Sequence, residues 1–176
     1  MSTMVQIHSA PPMSYCKAVG QIISHWANLE WQVEKTIWAL LKIGPKEGRL
    51  LTTQMNIRPK LEILKGLASR ANLDDERRKA LLAMSKDITA ANDFRNKLAH
   101  GLWATAPSKR KRRGMPRKML LYWMRGKTET RIMPTTIRID AKGLRQFSTH
   151  VMGMALFMSI VAVQVGAAQS PSLAKS

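Results

Sequence analysis

Val151–Ala168 reads VMGMALFMSIVAVQVGAA, and only Ser159 and Gln164 in it are polar. Its length sits at the lower edge of a membrane span, and a fully buried helix of a soluble bundle gives the same signal. The segment is short, contains glycine and lacks a basic stop flank, which favours the buried helix and a reading with no membrane partner; a peripheral or spanning membrane protein, resting on this helix and the basic loop, is a third reading. The chain therefore reads as a helical core, with its last helix over about 141–165. Hydrophobic residues make up 45% of the 176, ample for one domain with a real core.

Working back from that helix, MLLYWMRGKTETRIMPTTIRID (119–140) has two β-favouring runs around a polar turn and reads as a hairpin. Before it, APSKRKRRGMPRK is a loop by composition. Three further helices precede the loop. The first runs over about 14–43 and stops at Gly44-Pro45, a strong breaker pair. The second covers about 46–71, with a kink or break at Pro59. The third opens at Asp74 and Asp75, whose carboxylates suit a helix N-terminus, and ends at Gly101, a residue type that caps helix C-termini. The expected fold class is all-α: an antiparallel four-helix up-and-down bundle, with a basic loop and β-hairpin (104–140) inserted before the last helix. Residues 1–13 and 169–176 read as flexible tails around a domain over 14–168.

Charge is the loudest feature of the composition. The formal net charge is +18, which points to a polyanionic partner. Seven of the ten residues from Lys109 to Lys118 are basic: Lys109, Arg110, Lys111, Arg112, Arg113, Arg117 and Lys118. Contacts from such residues to phosphates give affinity without sequence choice. Trp103, Tyr122 and Trp123 flank that run, either to stack unpaired bases or to pack the hairpin on the bundle. Cys16 is the only cysteine, so no intrachain disulfide forms and a reducing, cytoplasmic setting fits. There is no CxxC, no HExxH and no Gly-rich phosphate loop, so no metal or other cofactor is expected.

The helical faces carry the site reading. On the first helix Val19, Ile22, Trp26, Leu29, Val33, Ile37 and Leu40 share one face. Glu30 lies on the same side, and a carboxylate there needs a partner. Trp31 and Trp38 form a second apolar patch, which is either a widened core face or a dimer interface. On the third helix the seam runs Leu81, Met84, Ile88, Ala91, Leu98, and Arg95 falls in its middle. Asn92 and Asn96 flank Arg95, and Asn96 shares a face with His100. An inward guanidinium needs a partner, and Glu30 is the best candidate in the sequence.

RNKLAH (Arg95–His100), at a glycine-capped end of the third helix of a four-helix bundle, resembles the RxxxxH signature of the HEPN superfamily. It is similar to the motif of HEPN ribonucleases in toxin–antitoxin, phage-defence and RNA-processing systems. The resemblance implies a homodimer whose two motif helices build one composite cleft. It also implies metal-independent RNA cleavage by attack of the ribose 2′-hydroxyl, leaving a 2′,3′-cyclic phosphate and a 5′-hydroxyl. In that scheme His100 moves protons, Arg95 holds the scissile phosphate, and Asn96 orients the histidine or bonds the phosphate. Glu30 and Asn92 support from behind. An antitoxin or regulatory protein is a further implied partner. In some HEPN toxins a tyrosine stands two residues after the histidine and is modified by the antitoxin; here that position is Leu102. Other HEPN-like domains act as catalytically silent binding modules for nucleic acid or protein, which is the alternative reading.

Overall fold

A computed structural model of the chain describes residues 6–8, 11–105, 119–126 and 132–169. It is mostly helical, with one small antiparallel sheet. The helices are α1 (Met13–Leu41), α2 (Pro45–Thr52), α3 (Ile57–Arg70), α4 (Asp75–His100) and α5 (Ala141–Gln169). The strands are β1 (Gln6–His8), β2 (Leu102–Thr105), β3 (Met119–Gly126) and β4 (Ile132–Ile139), in the order β1-β2-β3-β4. The chain divides into two compact units. One comprises residues 1–23 and 93–149; the other comprises 24–92 and 150–176.

The first unit is built on the sheet. Antiparallel pairing places Trp103, Leu121 and Ile137 in one row across β2, β3 and β4. Thr105, Met119 and Ile139 form the next row. Trp103, Met119, Leu121 and Ile139 from these rows are buried together with Tyr15, Ala18 and Ile22 of α1, Leu98 of α4 and Leu144 of α5. One face of the sheet is thus covered by helix ends. Tyr15 and Trp103 meet edge to face with centroids 6.0 Å apart, and Phe94 and Phe147 do the same at 4.6 Å. The 119–140 hairpin stands as expected, with Pro134 in β4, the edge strand that tolerates a missing N–H. Its partners were not foreseen: β2 pairs with β3, and residues 6–8, expected within a loose tail, add β1 to β2.

The second unit is helical. Trp26, Leu29, Val33, Ile37 and Leu40 of α1 are buried at the expected spacing, and Trp38 joins them. The α1 seam is therefore wide, with Trp31 at its exposed edge, 5.3 Å from Trp38 in an edge-to-face pair. Helix α1 ends before the glycine. Lys42 adopts φ 58°, its N–H donates to the Ala39 carbonyl, and the Ile43 N–H donates to Trp38, the paired bonds of a Schellman motif. Gly44 and Pro45 then start α2 as N-cap and first helical residue.

The expected second helix is two helices. The break lies at 53–56 and not at Pro59, because Asn56 caps α3 by accepting from the Arg58 N–H. Pro59 falls in the first turn of α3, where a missing N–H costs no helix bond. On α1, Thr36 Oγ1 donates to the Met158 carbonyl of α5, and Glu34 pairs with Lys60 of α3. Val151, Met154, Ala155, Met158, Val161, Ala162 and Val165 of α5 are buried, so one face of that helix belongs to the core.

Candidate functional site

Helix α4 positions the motif residues by simple periodicity. Phe94 and Leu98, one turn apart, pack into the core of the sheet unit. Arg95 and Asn96 follow Phe94 and are half-buried, while His100 is exposed at the last helical position. Arg95 Nη1 donates to Asn96 Oδ1 at 2.9 Å. Asn92, expected beside Arg95, occupies a core position at 4% exposure, in line with Leu81, Ser85 and Ile88. Ser85 takes the seam place expected for Met84; it is fully buried and its hydroxyl bonds the Leu81 carbonyl at 2.9 Å.

Gly101 ends α4 for a reason other than a left-handed cap. Its N–H closes on the Lys97 carbonyl at 2.8 Å. A Cβ there would stand 2.5 Å from the Lys97 oxygen and 2.6 Å from Leu121 Cδ1 of β3. Only glycine lets the helix end press onto the sheet and turn at once into β2. His100 is therefore fixed to the sheet by one residue of chain.

The register of the sheet fixes the described residues that flank the basic insert. Leu102, beside His100, pairs with Tyr122, whereas Thr105 pairs with Met119. Thr105 and Met119, the described residues on either side of 106–118, thus lie about 10–13 Å of strand from the helix terminus. Lys109, Arg110, Lys111, Arg112, Arg113, Arg117 and Lys118 themselves lie outside the described residues. β3 and β4, by contrast, continue past the Leu102 level to Gly126 and Ile132, toward the His100 end of the sheet. Trp103 is 8% exposed and packs in the core, so it is no stacking platform.

Glu30 has a partner on its own helix. The Trp26 indole N–H, one turn back on α1, donates to Glu30 Oε1 at 2.7 Å. Glu30 is only half-buried, and this bond offsets the cost of placing its carboxylate on the seam side. A second acidic residue of α1 also has a buried partner. Glu34, one turn on from Glu30, forms the ion pair with Lys60; the side chains are 15% and 4% exposed. The signal was present on α3, where Ile57, Leu61, Leu64 and Ala68 define a buried face that includes position 60.

Among the described residues of the sheet unit, Tyr15 is the titratable group with a clear displacement. Burial raises its phenol above the ordinary value of 10.0, and the nearby Asp140 raises it further. Its hydroxyl lies 3.4 Å from the Ile139 carbonyl, to which it donates. Among the described residues, no three His, Cys, Asp or Glu side chains gather as a metal site. No family model, no curated protein and no solved structure matches the chain.

Proposed function

We propose that this protein is a HEPN-like endoribonuclease of toxin or phage-defence type, a helical bundle elaborated by its sheet and basic loop, acting as a homodimer on RNA in the cytoplasm. The observation that carries the reading is the α4 terminus: Arg95 bonded to Asn96, one turn before an exposed His100 that Gly101 pins against the sheet. A pre-set cation beside an accessible proton-transfer group suits phosphoryl transfer within RNA.

Cleavage proceeds by attack of the ribose 2′-oxygen on the adjacent phosphorus. The 2′-hydroxyl proton passes to one His100 imidazole. The new O2′–P bond forms as the P–O5′ bond breaks. The leaving 5′-oxygen takes a proton from the second His100 of the dimer, giving a 2′,3′-cyclic phosphate and a 5′-hydroxyl. The two Arg95 guanidiniums hold the non-bridging oxygens as charge builds on them. The basic residues of 109–118 supply affinity through phosphates.

The test is product chemistry. Single-stranded RNA incubated with the protein in excess chelator should yield fragments ending in a 2′,3′-cyclic phosphate and beginning with a 5′-hydroxyl. Fragments with 3′-hydroxyl and 5′-phosphate ends would rule this chemistry out. RNA that is bound but intact would leave a silent binding module.

A further inference from the structure

Within the helical unit, α1, α2 and α5 leave a cavity of about 270 Å³. Trp31, Trp38, Ile43, Pro45 and Val163 line it, and among the described residues Lys35 is the one charged member of the lining. Trp31 and Trp38 stand edge to face, with centroids 5.3 Å apart and planes at 87°. Arg49 of α2 lays its guanidinium over Trp31, 5.2 Å from the ring centroid. That contact steadies the exposed ring and adds a second positive charge beside it. Trp38 is held more firmly. Gly48 of α2 presses on its ring, where a Cβ would stand 2.5 Å from both Cγ and Cδ2.

The clamped indole carries an unmatched donor. Trp38 is 4% exposed, yet its Nε1 is sealed from solvent and finds no acceptor among the described residues. Trp26, the other buried indole of α1, shows the usual outcome: its N–H donates to Glu30. A buried donor without an acceptor calls for a reason. Water is a poor one here, because a buried water typically makes about three hydrogen bonds and apolar side chains form most of this lining. The polar side-chain groups of the lining, on Trp31, Trp38 and Lys35, are all donors, and none of its side chains accepts. A ligand that completes such a site brings the acceptor, a negative charge and an apolar body.

We infer that this cavity binds a small ring-bearing carboxylate, whose oxygens accept from the Trp38 indole N–H and the Lys35 ammonium while its ring lies against the two tryptophans. Indoles at right angles offer a third ring both a face and an edge, the arrangements that aromatic groups prefer. Lys35 is exposed, which keeps the carboxylate within reach of water and limits its desolvation cost. A phosphate would bring more charge than so apolar a lining offsets. The net charge of +18 favours the approach of an anion. Size narrows the class further. A dry cavity of about 150 Å³ holds benzene, so by proportion this one suits about eleven non-hydrogen atoms, a phenyl ring with a short acid arm.

The site shares no residue with the α4 terminus, so its test is independent of the ribonuclease reading. The isotope-labelled full-length protein is titrated with sodium hydrocinnamate, and the tryptophan indole N–H signals are followed by NMR. The Trp38 signal, identified by its loss in Trp38→Phe, should move downfield and saturate with a Kd at or below about 1 mM. Hydrocinnamamide, the neutral analogue, should bind at least about tenfold more weakly, since hydrogen bonds to a charged group are the stronger kind. Lys35→Met should weaken the acid by about tenfold and leave the amide unchanged. Ala39→Leu, which fills the cavity from α1, should abolish binding of both with helical circular dichroism intact. Lys35 is exposed, so Lys35→Met and the amide keep the test decisive if Trp38→Phe fails to fold. No saturating shift up to about 10 mM acid would overturn the proposal. So would equal binding of acid and amide, or acid binding unchanged by Lys35→Met or by Ala39→Leu.

Discussion

Replacing Lys60 by methionine strands a carboxylate. Glu34 keeps only 15% of its side-chain surface in water, and Lys60 is 4% exposed. Removing one partner of a buried pair costs about 3–5 kcal/mol, because the remaining charge loses its compensation while staying desolvated. Glu34 retains a little solvent, so the low end applies, about 3 kcal/mol. Methionine matches the lysine stem in volume, which keeps a cavity term out of the comparison. In urea, with a slope of about 2 kcal/mol/M, that loss moves the unfolding midpoint by about 1.5 M. The double replacement Glu34→Leu with Lys60→Met removes both charges and should recover most of the loss, since an apolar pair of similar volume is often neutral or better. The readout is the full double-mutant cycle by urea unfolding, with unchanged slopes. A midpoint shift below about 0.3 M for Lys60→Met, or a double variant as damaged as the sum of the singles, would refute the reasoning.

Gly101→Ala should destabilise by about 1–3 kcal/mol, because its methyl meets the Lys97 oxygen at 2.5 Å and Leu121 at 2.6 Å; thermal melting reads the loss. RNA cleavage should fall further than the folded fraction does, since His100 is displaced with the helix end. Tyr15→Phe should flatten the alkaline stability limb. The parent's phenol is raised by burial and then by Asp140, so its contribution is complete below pH 10.0 and is lost as pH rises through the folded value. Urea midpoints at about pH 9 and about pH 11.5 should therefore converge between parent and variant at the higher pH. Neutralising Lys109 to Arg113 should weaken RNA binding alike across sequences and reduce the slope of log K against log salt by about 0.7 per lost contact; an unchanged slope would remove this loop from the RNA.

Much of the molecule was legible because its signals are local and periodic. The α1 seam from Trp26 to Leu40, the buried face of α5 and the 119–140 hairpin each repeat at a fixed interval. What escaped depends on distant partners. Gln6–His8 is three residues long and becomes a strand only because β2 offers its edge. Leu102–Thr105 has no alternation to read; it is a strand because Gly101 lets α4 abut Leu121. The bond from the Trp26 indole to Glu30 is local, four residues along one helix, and spacing already permitted it. Lys60 stands on the apolar face of α3, and the Glu34 carboxylate that admits it there comes from a helix distant in sequence. The break before α3 carried its own sign in Asn56, an N-cap residue just ahead of the Ile57–Leu61–Leu64 face.

The central claim, that the α4 terminus cleaves RNA, rests most directly on His100. Cleavage rate and RNA affinity should be measured side by side for the parent and His100→Ala, in excess chelator. Proton transfer by a positioned side chain contributes about 10²–10⁴ in rate, whereas affinity comes from the basic residues. The account predicts that the variant binds RNA as the parent does and loses cleavage by at least about a hundredfold. A variant that binds equally and cleaves at the parent's rate would contradict it.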